Sequence, residues 1–152
     1  MTNLDVSRDV SASADVVWTI MTDLENAADT ISAIQSIVIL SEPQEFGVGT
    51  RWRETRTMFG KQATEEMSVT KVDFGTSYVV EAESNGARYT TIMQVVATGE
   101  HSSKISMSFG AEPTGTMAKV MGATVGKLFE NATRKALAQD LDDIAAAAEA
   151  RT

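Results

Sequence analysis

Cysteine is absent from this 152-residue chain, proline occurs only twice, and basic residues are outnumbered by acidic ones. Without cysteine there is no disulfide framework, no thiolate metal site and no thiol nucleophile. Both prolines, Pro43 and Pro113, lie outside the stretch from Thr50 to Ala111, so nothing there denies a strand its backbone donors. Thirteen Lys and Arg against 21 Asp and Glu leave a net charge of −8, which opposes attraction to phosphate backbones or anionic lipid surfaces. No nucleic-acid partner is expected. The start, Met1 to Val6, has neither a basic segment nor an apolar run, and no later stretch approaches membrane-spanning length. The expectation is a cytoplasmic protein without integral membrane association. The one histidine, His101, stands in a Gly99-Glu100-His101-Ser102 turn, too isolated for a triad or a metal site. No metal and no cofactor are implied.

What is present fits one domain over residues 1–152, long enough to bury a core without staples. Eight methionines suit a pliable interior, whether pocket or ordinary core. Leu4, Val6 and Val10 alternate with Asp5, Ser7 and Asp9, the period of a half-buried strand, with Arg8 interrupting the apolar face. Ser13 offers an N-cap to a short helix carrying Val17, Ile20, Met21 and Leu24, and Asp23 is placed to cap a second one ending near Thr30. Ile34 to Leu40 is apolar and β-branched, hence a strand.

Turn chemistry proposes a register for the strands between Thr50 and Ala111. Gly60-Lys61 as a two-residue loop places Arg56 opposite Glu65, Glu54 opposite Met67 and Trp52 opposite Val69; Asp73 to Thr76 and Asn85-Gly86 supply the next turns. Val69 then faces Val80, Ala82 faces Tyr89, and Met93 meets Met107. One face collects Trp52, Met58, Met67, Val69, Tyr78, Val80, Ala82, Tyr89, Met93, Val95, Ile105, Met107 and Phe109, while Arg51, Arg53, Glu66, Glu81, Glu83, Arg88 and Lys104 take the other. This is an antiparallel sheet with one covered and one wet face. Met117, Val120, Met121, Leu128, Leu137, Leu141 and Ile144 recur at helical spacing, so a C-terminal helix of about thirty residues, roughly 45 Å long, is the cover. Gly122 and Gly126 share a face of it, suited to close packing or to local give.

The order of these elements, with Ser13-Ala14-Asp15-Val16-Val17-Trp18, Asp23-Leu24-Glu25-Asn26, Phe46-Gly47-Val48-Gly49-Thr50, Arg51 to Arg56, and Leu137-Ala138-Gln139-Asp140-Leu141, resembles the SRPBCC or START-like superfamily, in its bacterial polyketide cyclase/dehydrase-like branch. The resemblance implies an α+β helix-grip fold: a curved antiparallel sheet of about seven strands wrapped around the long helix, with two short helices after the first strand. It also implies an apolar cavity between sheet and helix, with Trp18 near its mouth. It does not choose an activity, because fold alone does not.

On the covered face, Glu54, Arg56 and Glu65 are the charged exceptions. Guanidinium fits carboxylates as a planar fork, so the three make either a structural ion cluster or a site; a bulge that turns them outward is the remaining alternative. As a site they would orient the polar end of an apolar ligand, or use Glu54 or Glu65 as acid or base on a carbonyl compound. Trp52, Met58, Met67, Tyr78, Tyr89, Met93, Met107 and Phe109 from the sheet, and Met121 and Val125 from the helix, complete the candidate ligand-binding set. Three functions fit these residues: binding of a small hydrophobic or amphipathic molecule, a cyclase or dehydratase-like activity, or a protein-interaction module of the co-chaperone or toxin type. A monomer and a homodimer both fit.

Overall fold

The structure, a computed structural model, describes residues 3–42, 45–58, 60–84, 86–113 and 116–151, with the backbone alone for 84, 113 and 116–129. Seven strands form one antiparallel sheet: β1 (Asn3–Val10), β2 (Ile34–Ile39), β3 (Arg51–Met58), β4 (Lys61–Asp73), β5 (Ser77–Ser84), β6 (Ala87–Gly99) and β7 (Ser102–Pro113). Their order across the sheet is β1-β7-β6-β5-β4-β3-β2, so each strand pairs with its chain neighbour except at the closing β1–β7 pair. Between β1 and β2 lie helix α1 (Ala14–Met21), a single 3-10 turn (Leu24–Asn26) and α2 (Ala27–Thr30); the chain ends in α3 (Thr116–Glu149). The curved sheet, the two short helices and the long C-terminal helix are the helix-grip architecture the sequence implies.

Local chemistry accounts for the boundaries. Ser13 caps α1, its hydroxyl accepting from the backbone N–H of Val16 at 3.3 Å. Asp23 does not cap the next helix as the sequence suggests; its carboxylate instead accepts from the Asn26 amide at 2.8 Å. The 3-10 turn in between leaves no α-helical N-terminus where Asp23 sits. Gly49, Gly60, Gly75 and Gly86 all take positive φ, which L side chains resist. At Gly60 this changes the expected register. Met58 pairs with Lys61, so Gly60 closes the turn instead of opening it, and Trp52 faces Met67, Glu54 faces Glu65 and Arg56 faces Ala63. The correction is a slip of two residues. Because side chains alternate with a period of two, every residue keeps its face. The pairs Val69–Val80, Ala82–Tyr89 and Met93–Met107 stand as the turn chemistry places them.

The core gathers where the last turns of α3 meet α1 and the middle of the sheet: Val17, Val69, Val95, Ile105 and Leu141 are almost fully buried. Ala12, Ala145 and Ala148, with no exposed surface, let these elements approach closely. Acids on α3 fasten it to its surroundings. Asp142 pairs with Arg8 of β1 at 3.0 Å, Asp143 accepts from the N–H and hydroxyl of Ser32 at 2.9 and 2.8 Å, and Glu149 accepts from the N–H of Ser11 at 2.9 Å. The Arg8 interruption of β1 is thus one end of a strand-to-helix tie. Beside this core, between the sheet and the stretch of α3 from Thr133 to Ile144, lies the cavity.

Candidate functional site

A cavity of about 480 Å³ opens between the covered face of the sheet, the two short helices and α3. Every sheet residue in the candidate set lines it: Trp52, Glu54, Arg56 and Met58 of β3, Glu65 and Met67 of β4, Tyr78 of β5, Tyr89 and Met93 of β6, and Met107 and Phe109 of β7. Met121 and Val125 lie outside the residues whose side chains are described. Residues the sequence reading did not select also line it: Ile20, Met21 and Leu24 near α1, Ile31 and Ile34 around α2, and Thr133, Leu137, Asp140 and Ile144 on α3. The last four recur at spacings of four, three and four, one face of a helix.

The polar part of the wall is built around Arg56. Its Nε donates to Glu54 Oε2 at 2.8 Å and its Nη1 to Asp140 Oδ2 at 3.0 Å, and Trp52 Nε1 donates to the other Glu54 oxygen at 3.2 Å. The second carboxylate on Arg56 is therefore Asp140, reached across 84 residues of chain, where the sequence reading set Glu65 against it. The two-residue slip explains this: it moves Glu65 one pair along, opposite Glu54. Glu65 stays on the cavity wall. Glu54 and Asp140 are 6% and 4% exposed, so these are ion pairs inside the protein.

Burial sets the electrostatics. Desolvation pulls the Arg56 guanidinium down, but Asp140 and Glu54 outweigh it and its pKa ends above the ordinary value. Asp140 shows the opposite balance: burial pushes its carboxyl up, Arg56 opposes this, and Glu54 and Asp143 add to the rise. Asp140 Oδ1 and Thr133 Oγ1 are buried without a hydrogen-bond partner.

The two tyrosines differ. Tyr78 donates its hydroxyl to the Met21 carbonyl at 3.1 Å, and burial and Glu54 push its pKa well up, so it ties β5 to α1 and stays protonated. Tyr89 stacks on Phe109 with ring centres 5.7 Å apart, and its pKa is raised by partial burial and by Glu65. Trp18 does not line the cavity; it packs edge-on to Tyr78 at 6.0 Å and to Phe74 at 6.4 Å, behind the cavity wall. His101 sits in an exposed turn. Among the described residues no group of His, Cys, Asp and Glu is placed to hold a metal ion, and no helix is long and apolar enough to cross a membrane.

Comparison with known proteins places this geometry. Residues 1–149 match the family model described as polyketide cyclase / dehydrase and lipid transport. Among solved structures, a START superfamily protein from Mycobacterium smegmatis superposes with a TM-score of 0.81 at 14% identity, covering 99% of both chains. The ZhuI aromatase/cyclase from Streptomyces sp. R1128 gives 0.81 at 16% identity, over 99% of this chain and 94% of that one. Norcoclaurine synthase from Thalictrum flavum gives 0.72 at 22% identity, over 95% and 91%. No curated protein sequence matches.

Proposed function

The chain belongs to the polyketide cyclase / dehydrase and lipid transport family, and from that premise we propose that it binds a small apolar or amphipathic molecule between the sheet and α3, with the ligand's polar end at the Glu54–Arg56–Asp140 cluster. The observation that carries this reading is the cavity itself. At about 480 Å³ it falls within the range of small-molecule sites, and its wall is mostly apolar, with the Glu54–Arg56–Asp140 ion pairs set into it. Protein interiors otherwise pack closely, so a hollow of this size without a ligand forfeits contacts along its whole lining. Methionines in that lining, Met58, Met67, Met93 and Met107 among them, can shift to fit different shapes.

Fluorescence titration with the uncharged dye phenylnaphthylamine tests the reading. One saturable site with a blue-shifted emission is expected. Ala82→Phe, which puts a ring into the cavity from β5, should weaken the dye at least about tenfold while leaving the fold intact. Absence of saturable binding by the folded protein would refute the proposal.

A second reading has one specific observation in its favour. A buried carboxyl with a raised pKa on a residue that lines a cavity is chemically suited to act as a general acid, and Asp140 is such a group. On a cyclase or dehydratase reading it takes precedence over Glu54, whose two oxygens already accept from Trp52 and Arg56. Glu65 remains the second candidate. Full turnover of an aromatic-forming polyketide substrate after both Asp140→Asn and Glu65→Gln would dismiss it.

A further inference from the structure

Arg56 carries several N–H donors in a planar fork, and the protein takes only two of them: Nε donates to Glu54 at 2.8 Å and Nη1 to Asp140 at 3.0 Å. Neither hydrogen on Nη2 has a partner among the described residues. The side-chain atoms that lack a partner and are also closed to solvent are Thr133 Oγ1 and Asp140 Oδ1, and Arg56 Nη2 is not one of them. It is therefore a donor that an incoming group can reach. Its residue lines the cavity from β3 and keeps 17% of its side chain exposed.

The rest of the cluster has little to offer a ligand. Glu54 accepts from Trp52 with one oxygen and from Arg56 with the other, while Asp140 gives Arg56 its Oδ2 and keeps Oδ1 sealed within the protein. What the cluster leaves open is thus an N–H donor. Its charge is a separate matter, because two carboxylates already sit on the one guanidinium before any ligand arrives. Glu65 has an interaction of its own and does not enter this balance. Lys61, the other cation in the described lining, is exposed at the start of β4. A ligand carboxylate could accept the Nη2 hydrogens only by bringing a further negative charge into an apolar enclosure beside Glu54 and Asp140, with no unmatched buried cation to offset it among the described residues. A neutral carbonyl accepts the same hydrogen bond and brings no charge.

Resting on the binding reading above, we infer that the cavity selects apolar molecules whose polar end is a neutral hydrogen-bond acceptor, a ketone, ester or amide carbonyl received by Arg56 Nη2, and discriminates against carboxylates of the same apolar body. The two carboxylates that hold the guanidinium in place also cancel its attraction for anions. The arginine serves as a donor without serving as a counter-ion, which reverses the simpler expectation that an arginine in a pocket captures acids.

Competition against bound phenylnaphthylamine by acetylnaphthalene, isopropenylnaphthalene and naphthoate, all substituted at the same ring position, tests this on the full chain at neutral pH. The first two differ only in a carbonyl oxygen against a methylene group, and the third carries the charge. About 0.5 M salt screens exposed charge beyond a few ångströms, so neither the −8 net charge nor Lys61 sets the ranking. The ketone should displace the dye at a concentration at least about tenfold below naphthoate. It should also need no more than the alkene does, although the alkene is the more apolar and would win on burial alone. Glu54→Gln, which relieves Arg56 of one negative charge and keeps an amide oxygen to accept from it, should shrink the gap between ketone and carboxylate to less than about threefold, whereas Glu100→Gln, removing the same charge from an exposed turn, should leave it whole. Naphthoate bound as tightly as the ketone, an alkene bound more tightly than the ketone, or a gap that survives Glu54→Gln overturns the inference. If that variant does not fold, the ranking on the unaltered chain decides alone. Dye displaced in the wrong order removes only the selectivity, while failure of the dye itself to bind removes the binding reading with it.

Discussion

Arg56 Nη1 lies 3.0 Å from Asp140 Oδ2, and this contact joins the third strand to the last helix across the open part of the helix-grip fold. With Glu54 on the other side of the guanidinium, the strand, the helix and the cavity wall meet at one point. Truncating the arginine would strand two buried carboxylates.

Arg56→Met should therefore destabilise the protein by about 3–5 kcal/mol, the usual consequence of removing one member of a buried ion cluster. Urea denaturation followed by circular dichroism reads it directly. Arg56→Lys should recover only part of the loss, because a single ammonium cannot hold both carboxylates as the planar fork does. A loss below about 1 kcal/mol for the methionine variant would show that the cluster is solvated.

Asp140 gives the fold a pH dependence of definite sign. Its carboxyl is pushed above the 3.8 of an unperturbed aspartate, chiefly by burial, so in the interval between those two values the folded chain holds a proton that the unfolded chain has lost. Stability contributed by this group is present below 3.8 and falls as the pH climbs through the interval. Asp140→Asn lacks the titration. Its stability relative to the unaltered chain should rise with pH across that window and level off above it, in urea melts taken at closely spaced pH values. A difference that is flat or falls with pH contradicts the assigned shift.

The sequence carried the faces of the sheet further than its register. Alternation from Trp52 to Phe109 sorted wet from covered side chains, and a two-residue slip at Gly60 left that sorting intact because side chains repeat every two residues. What the slip did change was the partner of Arg56, and sequence alone had no means of supplying the right one. Asp140 stands among Gln139, Asp142 and Asp143, a stretch that looks like a solvated helix face. A signal was nevertheless present: Asp140 is three residues after Leu137 and four before Ile144, and Thr133 is four before Leu137, so both polar residues sit on the apolar stripe. Turn type at a glycine and the depth of one acid on a helix are decided by tertiary contacts, and a reading of the sequence alone misjudges both.

Thr133→Val should leave the ligand-free protein as stable as before or more stable by about 1 kcal/mol, since it deletes a buried hydroxyl that has no partner and keeps the shape of the side chain. Thermal or urea unfolding measures this. A clear loss of stability would mean that the hydroxyl is satisfied in the empty protein.

The central claim is that a small molecule occupies the space between sheet and helix, and the cavity carries its own reporters. Met21, Met58, Met67, Met93 and Met107 all line it, on α1 and four strands. Carbon-13 labelling of the methionine methyls, with assignment by single Met→Leu variants, allows an NMR titration with phenylnaphthylamine to ask each of these positions separately whether it meets the dye. The account predicts that Met21, Met93 and Met107, the most deeply buried of the five, shift together and saturate at one equivalent. Dye binding that leaves these three methyls unmoved would contradict it, because the molecule would then be held somewhere other than the cavity.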